Sequence, residues 1–149
     1  MNDAQLAALF ERIRMEPKLS EAMGDFRLTG WDAAQRIIGA AFTVRPEYCH
    51  SGGRVAQGGF ITGWMDAAMA FAVMIETEGR QTVFSLEIKA SFFEKVGPGA
   101  GRVQARVVRR GRRVAFLEAW LYNADGQLAA QASSTGMLVE RHVEPGVRP

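Results

Sequence analysis

The chain has 149 residues, enough for one domain with a substantial core, and its 48% hydrophobic and 23% charged composition is that of an ordinary globular protein, which excludes disordered and fibrous classes. Its longest apolar stretch, residues 60–75 broken by Asp66, is shorter than the roughly 20 residues of a membrane-spanning helix, and the first residues lack the basic start and apolar run of a secretory signal, so a cytoplasmic location is expected. Cys49 is the single cysteine, which excludes an internal disulfide and agrees with a reducing compartment, while the net charge of +2 makes no strong demand on partners.

In chain order, Leu6, Leu9, Phe10 and Ile13 recur at helical spacing behind Asp3, a plausible cap, and predict a short amphipathic helix ending before Pro17. Residues 20–23 add at most another turn, and Gly24 and Gly30 break a segment with no clear pattern, so residues 1–33 read as an N-terminal helical segment. Residues 34–44 are rich in apolar and β-branched side chains and predict a strand that Pro46 ends. The polar, glycine-bearing stretch that follows predicts a loop leading to a helix from Gly58 to about Thr77. Four further strands follow. In residues 82–93, Thr82, Phe84, Leu86, Ile88, Ala90 and Phe92 alternate with Ser85, Glu87, Lys89 and Ser91; in residues 101–111, Val103, Ala105 and Val107 alternate with Arg102, Gln104 and Arg106. Residues 114–123 and 127–140 supply the last two, joined by the hairpin signal NADG, and residues 141–149 read as a frayed tail. One α+β domain over residues 1–149 is expected: a core over about 35–140 in which an antiparallel sheet of about five strands wraps a long central helix, with an N-terminal helix outside.

The stretch Val55–Ile75 organises this arrangement, because its twenty-one residues contain a single ionisable side chain, Asp66. A helix apolar on all sides belongs in a core, where an unpaired carboxylate is costly. Gly58 and Gly59 at its start let backbone approach a ligand where free N–H groups and the helix dipole favour negative charge. The segment thus offers an anion-stabilising end and a buried acid. A second concentration of charge lies in residues 76–149, which carry eleven Lys/Arg against eight Asp/Glu, with Arg102, Arg106, Arg109, Arg110, Arg112 and Arg113 close together. Such a cluster suits nucleic acid, the phosphates of a small cofactor, or a solvated strand edge protected from aggregation.

The motif QGGFITGWMDAAM, with two glycines after Gln57 and an acid nine positions beyond it, resembles the hotdog-fold acyl-CoA thioesterases, in the branch typified by the phenylacetate-pathway thioesterase. SLEIKASFFEKV and residues 106–139 resemble that family's later strands, so the likeness covers roughly residues 35–140. It implies a hotdog fold and hydrolysis of an acyl-CoA to a carboxylic acid and CoA. Asp66 would be the catalytic carboxylate, acting as general base or nucleophile, with the Gly58 N–H polarising the thioester carbonyl and Gln57 beside it. Gly59, His50 and Ser51 would contact substrate, and Arg109, Arg110, Arg112 and Arg113 would hold CoA phosphates, with Lys89 or Lys95 as additions. No metal and no cofactor beyond substrate CoA are implied, no nucleic acid or membrane partner is expected, and self-association as a dimer and often a tetramer is. The chain departs from the family pattern at Gln57, where many members have His, at Ser51 and Arg54 in the preceding loop, and at Ala70, where some have Thr; these positions bear on water placement and substrate choice.

Spacing adds a constraint. Gly58 and Asp66 are eight residues apart, about 12 Å along a helix at 1.5 Å per residue, so one thioester carbon cannot touch both in one chain and a homodimer is required. Two rival functions remain at this level: a hotdog dehydratase or hydratase, for which only His50 and His142 are available as a second acid-base group, and a non-catalytic acyl-CoA binder. The absence of G-x-S-x-G and of a Gly-Lys-Ser/Thr phosphate loop removes the serine-hydrolase and NTPase readings. Met65, Met69 and Met74, with Trp64 and Phe71, read as core or as the lining of an acyl pocket.

Overall fold

The computed structural model describes residues 1–142. Helices α1 (Asp3–Ile13) and α2 (Pro17–Ala22) precede strands β1 (Arg27–Asp32) and β2 (Ile37–Val44). The short pair β3 (Cys49–His50) and β4 (Val55–Ala56) leads into the long helix α3 (Gly58–Glu76). Strands β5 (Gln81–Phe92), β6 (Gly99–Arg110), β7 (Val114–Tyr122) and β8 (Leu128–Glu140) complete the chain. The main sheet is antiparallel in the order β1-β2-β6-β7-β8-β5, and α3 packs across it. This is the hotdog arrangement that the sequence predicts, with six strands in place of about five.

The additional strand is β1, inside the segment expected to be helical. Leu28 and Trp31 are half-buried there and Arg27–Asp32 hydrogen-bonds to β2, so pairing with a neighbour creates a strand that local alternation does not announce. Pro17 does not merely end α1; it opens α2, where its missing N–H costs nothing. The cap of α1 is Asn2, not Asp3: the Asn2 side chain accepts from the Gln5 N–H and the Gln5 side chain accepts from the Asn2 N–H, both at 2.9 Å. The expected tail falls outside the described residues except for Arg141 and His142, and Arg141 is tied down, its N–H donating to the Arg80 carbonyl and its guanidinium to that of Gly79.

Between strand and helix lies a dry core. Trp64, Met65, Ala68, Met69, Ala72 and Val73 on α3 are fully buried against Phe42, Val103, Ala105, Ala119 and Leu121, each large side chain contributing about 1.5–3 kcal/mol of burial. Trp64 stacks on Phe42 at 4.2 Å between ring centroids and donates its indole N–H to the Met23 carbonyl at 2.9 Å, which fastens the end of α2 to the central helix. Behind that carbonyl the chain turns at Gly24 (φ +74°), where a Cβ would collide with the Thr43 carbonyl. Although α3, at 19 residues, is long and apolar enough to cross a bilayer, here half of it is buried, against the sheet and α1.

Expected alternation holds in β6 as far as Val107 and fails in β5. Ser85 pairs with Gly136 and Glu87 with Thr135, so Leu86 is the extra residue of a β-bulge. The bulge reverses the faces: buried Val83 and exposed Ser85 stand on the helix side with Ile88 and Ala90, while Thr82 and exposed Phe84 turn outward. Although β5 and β6 follow each other in the chain, they are not neighbours: β5 lies at the sheet edge beside β8, and β6 lies in its middle.

Helix α3 ends in an acid, Glu76, which opposes the helix dipole and is 7% exposed. Arg36, in the turn between β1 and β2, offsets it with two hydrogen bonds of 2.8 and 2.6 Å. Arg36→Ala is expected to cost about 1–3 kcal/mol, the penalty of an unsatisfied buried charged acceptor, and more than Glu76→Gln, which leaves only an exposed cation. Chemical unfolding of the two variants measures the order, and the reverse order would contradict this assignment.

Candidate active site

Gln57 is the N-cap of α3, and its side-chain oxygen accepts the Gly59 N–H at 2.6 Å. Gln is an unusual cap, because its longer side chain must fold back over the first turn. Gly59 makes room for it: a Cβ there would lie 2.7 Å from that oxygen. The cap thus takes up the Gly59 N–H, and among the described residues the Gly58 N–H has no acceptor. Gly58 also lies close to Phe92 at the end of β5, whose ring would be 3.3 Å from a Cβ at that position. Beside this free donor is a cleft of about 330 Å³ lined by His50, Gly58, Phe92, Phe93 and Lys95 among others.

Two turns further along α3 stands Asp66. It is half-buried rather than buried, because it lies on the flank of the helix next to β5, the last strand of the sheet, and no further layer of the chain covers it. Ser85 donates its hydroxyl to the Asp66 carboxylate at 2.5 Å. Strict alternation in β5 would turn Ser85 away from the helix; the bulge at Leu86 brings it inward, which is why sequence pattern alone misses this residue. A Ser followed by a break in the partner strand at Gly136 is the signal that was available.

The remaining expected site residues divide into two groups. His50 and Ser51 are exposed near the start of α3 and bond each other, Nδ1 to Oγ at 2.8 Å. Cys49 is no partner for His50: its thiol lies 3.5 Å from the Arg45 carbonyl, and desolvation, with Glu47 adding to it, pushes the thiol above its ordinary range and away from the reactive thiolate. Arg109, Arg110, Arg112 and Arg113 are exposed at the turn between β6 and β7, with no carboxylate partner among the described residues. By contrast Arg106 pairs with Glu118 and Arg102 sits 4.0 Å above the Tyr122 ring. Register places the four turn arginines at the Asp66 end of the sheet, since Arg110 pairs with Ala115, Ala115 with Gly136, and Gly136 with Ser85. Gly58, Gln57, Gly59, His50 and Ser51 therefore gather at the N-terminal end of α3, whereas Asp66 stands at its middle beside Ser85, at the end of the sheet that also carries the arginines.

The family profile of the thioesterase superfamily matches residues 53–130, just over half the chain, and takes in both Gly58 and Asp66. The chain belongs to the thioesterase superfamily. That membership places it among thioester hydrolases at the level of the family. A provisionally named esterase of Pseudomonas aeruginosa is 29% identical over 102 residues, covering 67% of this chain and 74% of the relative. Among solved structures, a thioesterase-class protein related to phenylacetic acid degradation from Ralstonia eutropha superposes with a TM-score of 0.76 at 24% identity, over 88% of this chain and 97% of the other. The PaaI protein of the phenylacetic acid degradation operon of Escherichia coli gives 0.72 at 15% identity, over 91% of each chain. These neighbours share the hotdog fold with this member of the superfamily.

The Gln57 cap and the missing side chain at Gly59 are one device, which a double-mutant cycle exposes. Gln57→Ala is expected to cost about 0.5–2 kcal/mol, the usual value of a lost N-cap. Gly59→Ala should cost a similar amount by expelling the capping oxygen, and the double variant little more than Gln57→Ala alone. Additive losses in thermal unfolding would show that the two residues act separately.

Proposed function

We propose that the protein hydrolyses acyl-CoA thioesters to a carboxylic acid and CoA, and does so as a homodimer in which each site takes Asp66 from one subunit and the Gly58 N–H from the other. The observation that carries this reading is the state of the two groups: a carboxylate held at one oxygen by Ser85, and a helix N-terminal donor without an acceptor, about 12 Å apart on the same helix. A carbonyl oxygen develops negative charge on attack, and the Gly58 N–H at the positive end of α3 stabilises it. Asp66 either takes a proton from the attacking water or attacks the carbonyl carbon itself, and Ser85 fixes its orientation in both routes. The thiolate of CoA then leaves; in the second route this gives a mixed anhydride on Asp66, which water hydrolyses to the carboxylic acid and the free carboxylate, and no metal or additional cofactor enters the chemistry.

Strand β5 supports the dimer. It is twelve residues long, stands at the edge of the sheet, and exposes Phe84, Leu86 and Phe92, a combination that natural proteins rarely leave uncovered. Two copies of β5 paired antiparallel about a two-fold axis near Ile88 and Lys89 set Ser85 of one opposite Phe92 of the other. Because Ser85 touches Asp66 and Phe92 lies against Gly58, that pairing carries the partner's Gly58 to Asp66. The arginine turn lies three strands in from β5 at the same end, about 14 Å away, a distance that the pantetheine arm of CoA spans before its phosphates reach Arg109, Arg110, Arg112 and Arg113. A cytoplasmic setting, where CoA thioesters are made and Cys49 stays reduced, completes the reading.

Asp66→Asn should lower thiol release from acyl-CoA by at least about 100-fold without loss of fold, and Ser85→Ala by about tenfold. Wild-type turnover in Asp66→Asn would end the proposal. The shared site has its own test. Gly58→Val crowds the donor against Phe92, so Gly58→Val and Asp66→Asn homodimers should both be inactive. After the two are unfolded together and refolded, heterodimers with one intact site form, and about a quarter of wild-type activity is expected for random pairing. No recovery on mixing would mean that the site is not shared between subunits.

A further inference from the structure

Asp66 also opens into a groove on the side of α3 away from the sheet, about 480 Å³ in volume, between this helix and α1–α2. Its floor is Gly63, Ala67, Ala70 and Met74, which share one helical face with Asp66, and its far wall includes Leu19 and Met23. All four floor residues are half-buried, unlike Met65 and Met69 one face away, which are fully buried in the core. The small residues Gly63, Ala67 and Ala70 keep the groove open where α1 and α2 pass over it, and Met74 closes its end. Its charged members, Arg14, Glu16 and Arg141, have other engagements or face water: Arg14 lies 3.7 Å from Glu11, Arg141 donates to the Gly79 carbonyl, and Glu16 is exposed. What remains is an apolar channel that starts at a carboxylate, in the size range of small-molecule pockets.

We infer that this groove holds the acyl group and that the preferred substrate, given the thioesterase reading on which this rests, is an unbranched medium-chain acyl-CoA. With the thioester carbonyl at Asp66, the chain runs along Ala67 and Ala70 and ends at Met74. From Asp66 to Met74 is eight residues, about 12 Å, which at ~1.25 Å per carbon, the projection of a tetrahedral ~1.5 Å bond, accommodates about eight to ten carbons. Toward the other end the groove is short, because the Met23 methyl stands 3.9 Å from where a Gly63 Cβ would be. A phenylacetyl group would fill only the half nearest Asp66 and leave Met74 uncovered.

The experiment is a comparison of kcat/KM for thiol release from acetyl-, butyryl-, octanoyl-, decanoyl-, palmitoyl- and phenylacetyl-CoA by the wild type, Ala70→Phe and Met74→Ala. The wild type should favour octanoyl- or decanoyl-CoA. Ala70→Phe, which places a ring across the middle of the groove, should lower the octanoyl-to-butyryl ratio at least about tenfold. Met74→Ala, which removes the end wall, should shift the optimum to longer chains, and it decides the matter should Ala70→Phe fail to fold. Hydrolysis with no preference for medium chains, or chain-length ratios unchanged in the variants that fold, overturns the groove assignment and leaves the thioesterase reading standing. Absence of turnover with every acyl-CoA overturns both.

Discussion

Helix α3 has a large apolar surface and, short of its C-terminal Glu76, one carboxylate, Asp66, and the way the sheet takes up the first decides the position of the second. Trp64, Met65, Ala68, Met69 and Ala72 commit one face of the helix to β2, β6 and β7. That leaves Asp66 on the flank beside β5, where it escapes the several kcal/mol that burial of an unpaired carboxylate would cost and meets Ser85. A rotation of α3 by one residue, 100°, would either bury the acid or remove it from the strand. Core packing and site geometry are therefore set by the same contacts. This also explains why the helix can be apolar almost all round: the sheet covers one face, α1 and α2 stand over another, and the flank toward β5 carries the one charge short of the C-terminal Glu76.

Much of this is legible in the sequence because it depends on local pattern. The run Val55–Ile75 with one acid, the glycine pair, and the alternation of Val103, Ala105 and Val107 each describe a burial pattern that the structure has. What is not legible depends on partners distant in the chain. Arg27–Asp32 becomes a strand because β2 lies beside it, and no feature of those six residues demands it. The bulge at Leu86 is invisible for a similar reason. Phe84, Leu86 and Ile88 alternate well enough on paper, but Gly136 has no side chain to fill the space opposite Ser85, and Val83 occupies that space instead, 2.9 Å from where a Gly136 Cβ would be. One glycine on β8 thus accompanies the reversal that points Ser85 at Asp66. The expected buried acid proved half-exposed for the same topological reason, since the edge position of β5 is a property of strand order and not of composition.

The two glycines at the start of α3 show how two residues of one type come to different uses. Gly59 is needed for the cap, because its absent side chain is where the Gln57 oxygen sits. At Gly58 a side chain would meet Phe92, which already stands over it, and would further close the cleft beside its N–H. A Ser or Asp cap, though a stronger N-cap in general, reaches the N2 or N3 N–H with a shorter side chain. With Gln57 the capping oxygen is on Gly59 at N2, and the N1 donor of Gly58 is left over. Helix termini ordinarily satisfy such donors with water, and an exchangeable water is the partner that a substrate carbonyl can displace at low cost.

Edge strands, helix length and site chemistry are linked by distance. Within one chain the donor at Gly58 and the acid at Asp66 are separated by two helical turns, and no side-chain rotation closes about 12 Å. The same interval recurs on the other side of Asp66, where Met74 lies two turns further along and ends the groove. The acid and the end wall on one helix fix the sense in which a thioester can lie if the acid is at its carbonyl: the acyl chain toward Met74 and the sulfur toward β5. In that orientation the CoA portion leaves across the sheet edge, where a second subunit would supply the donor and where the arginine turn lies within reach. On the proposed role of Asp66, the direction of the acyl chain and the need for a partner are two consequences of where that residue falls along α3.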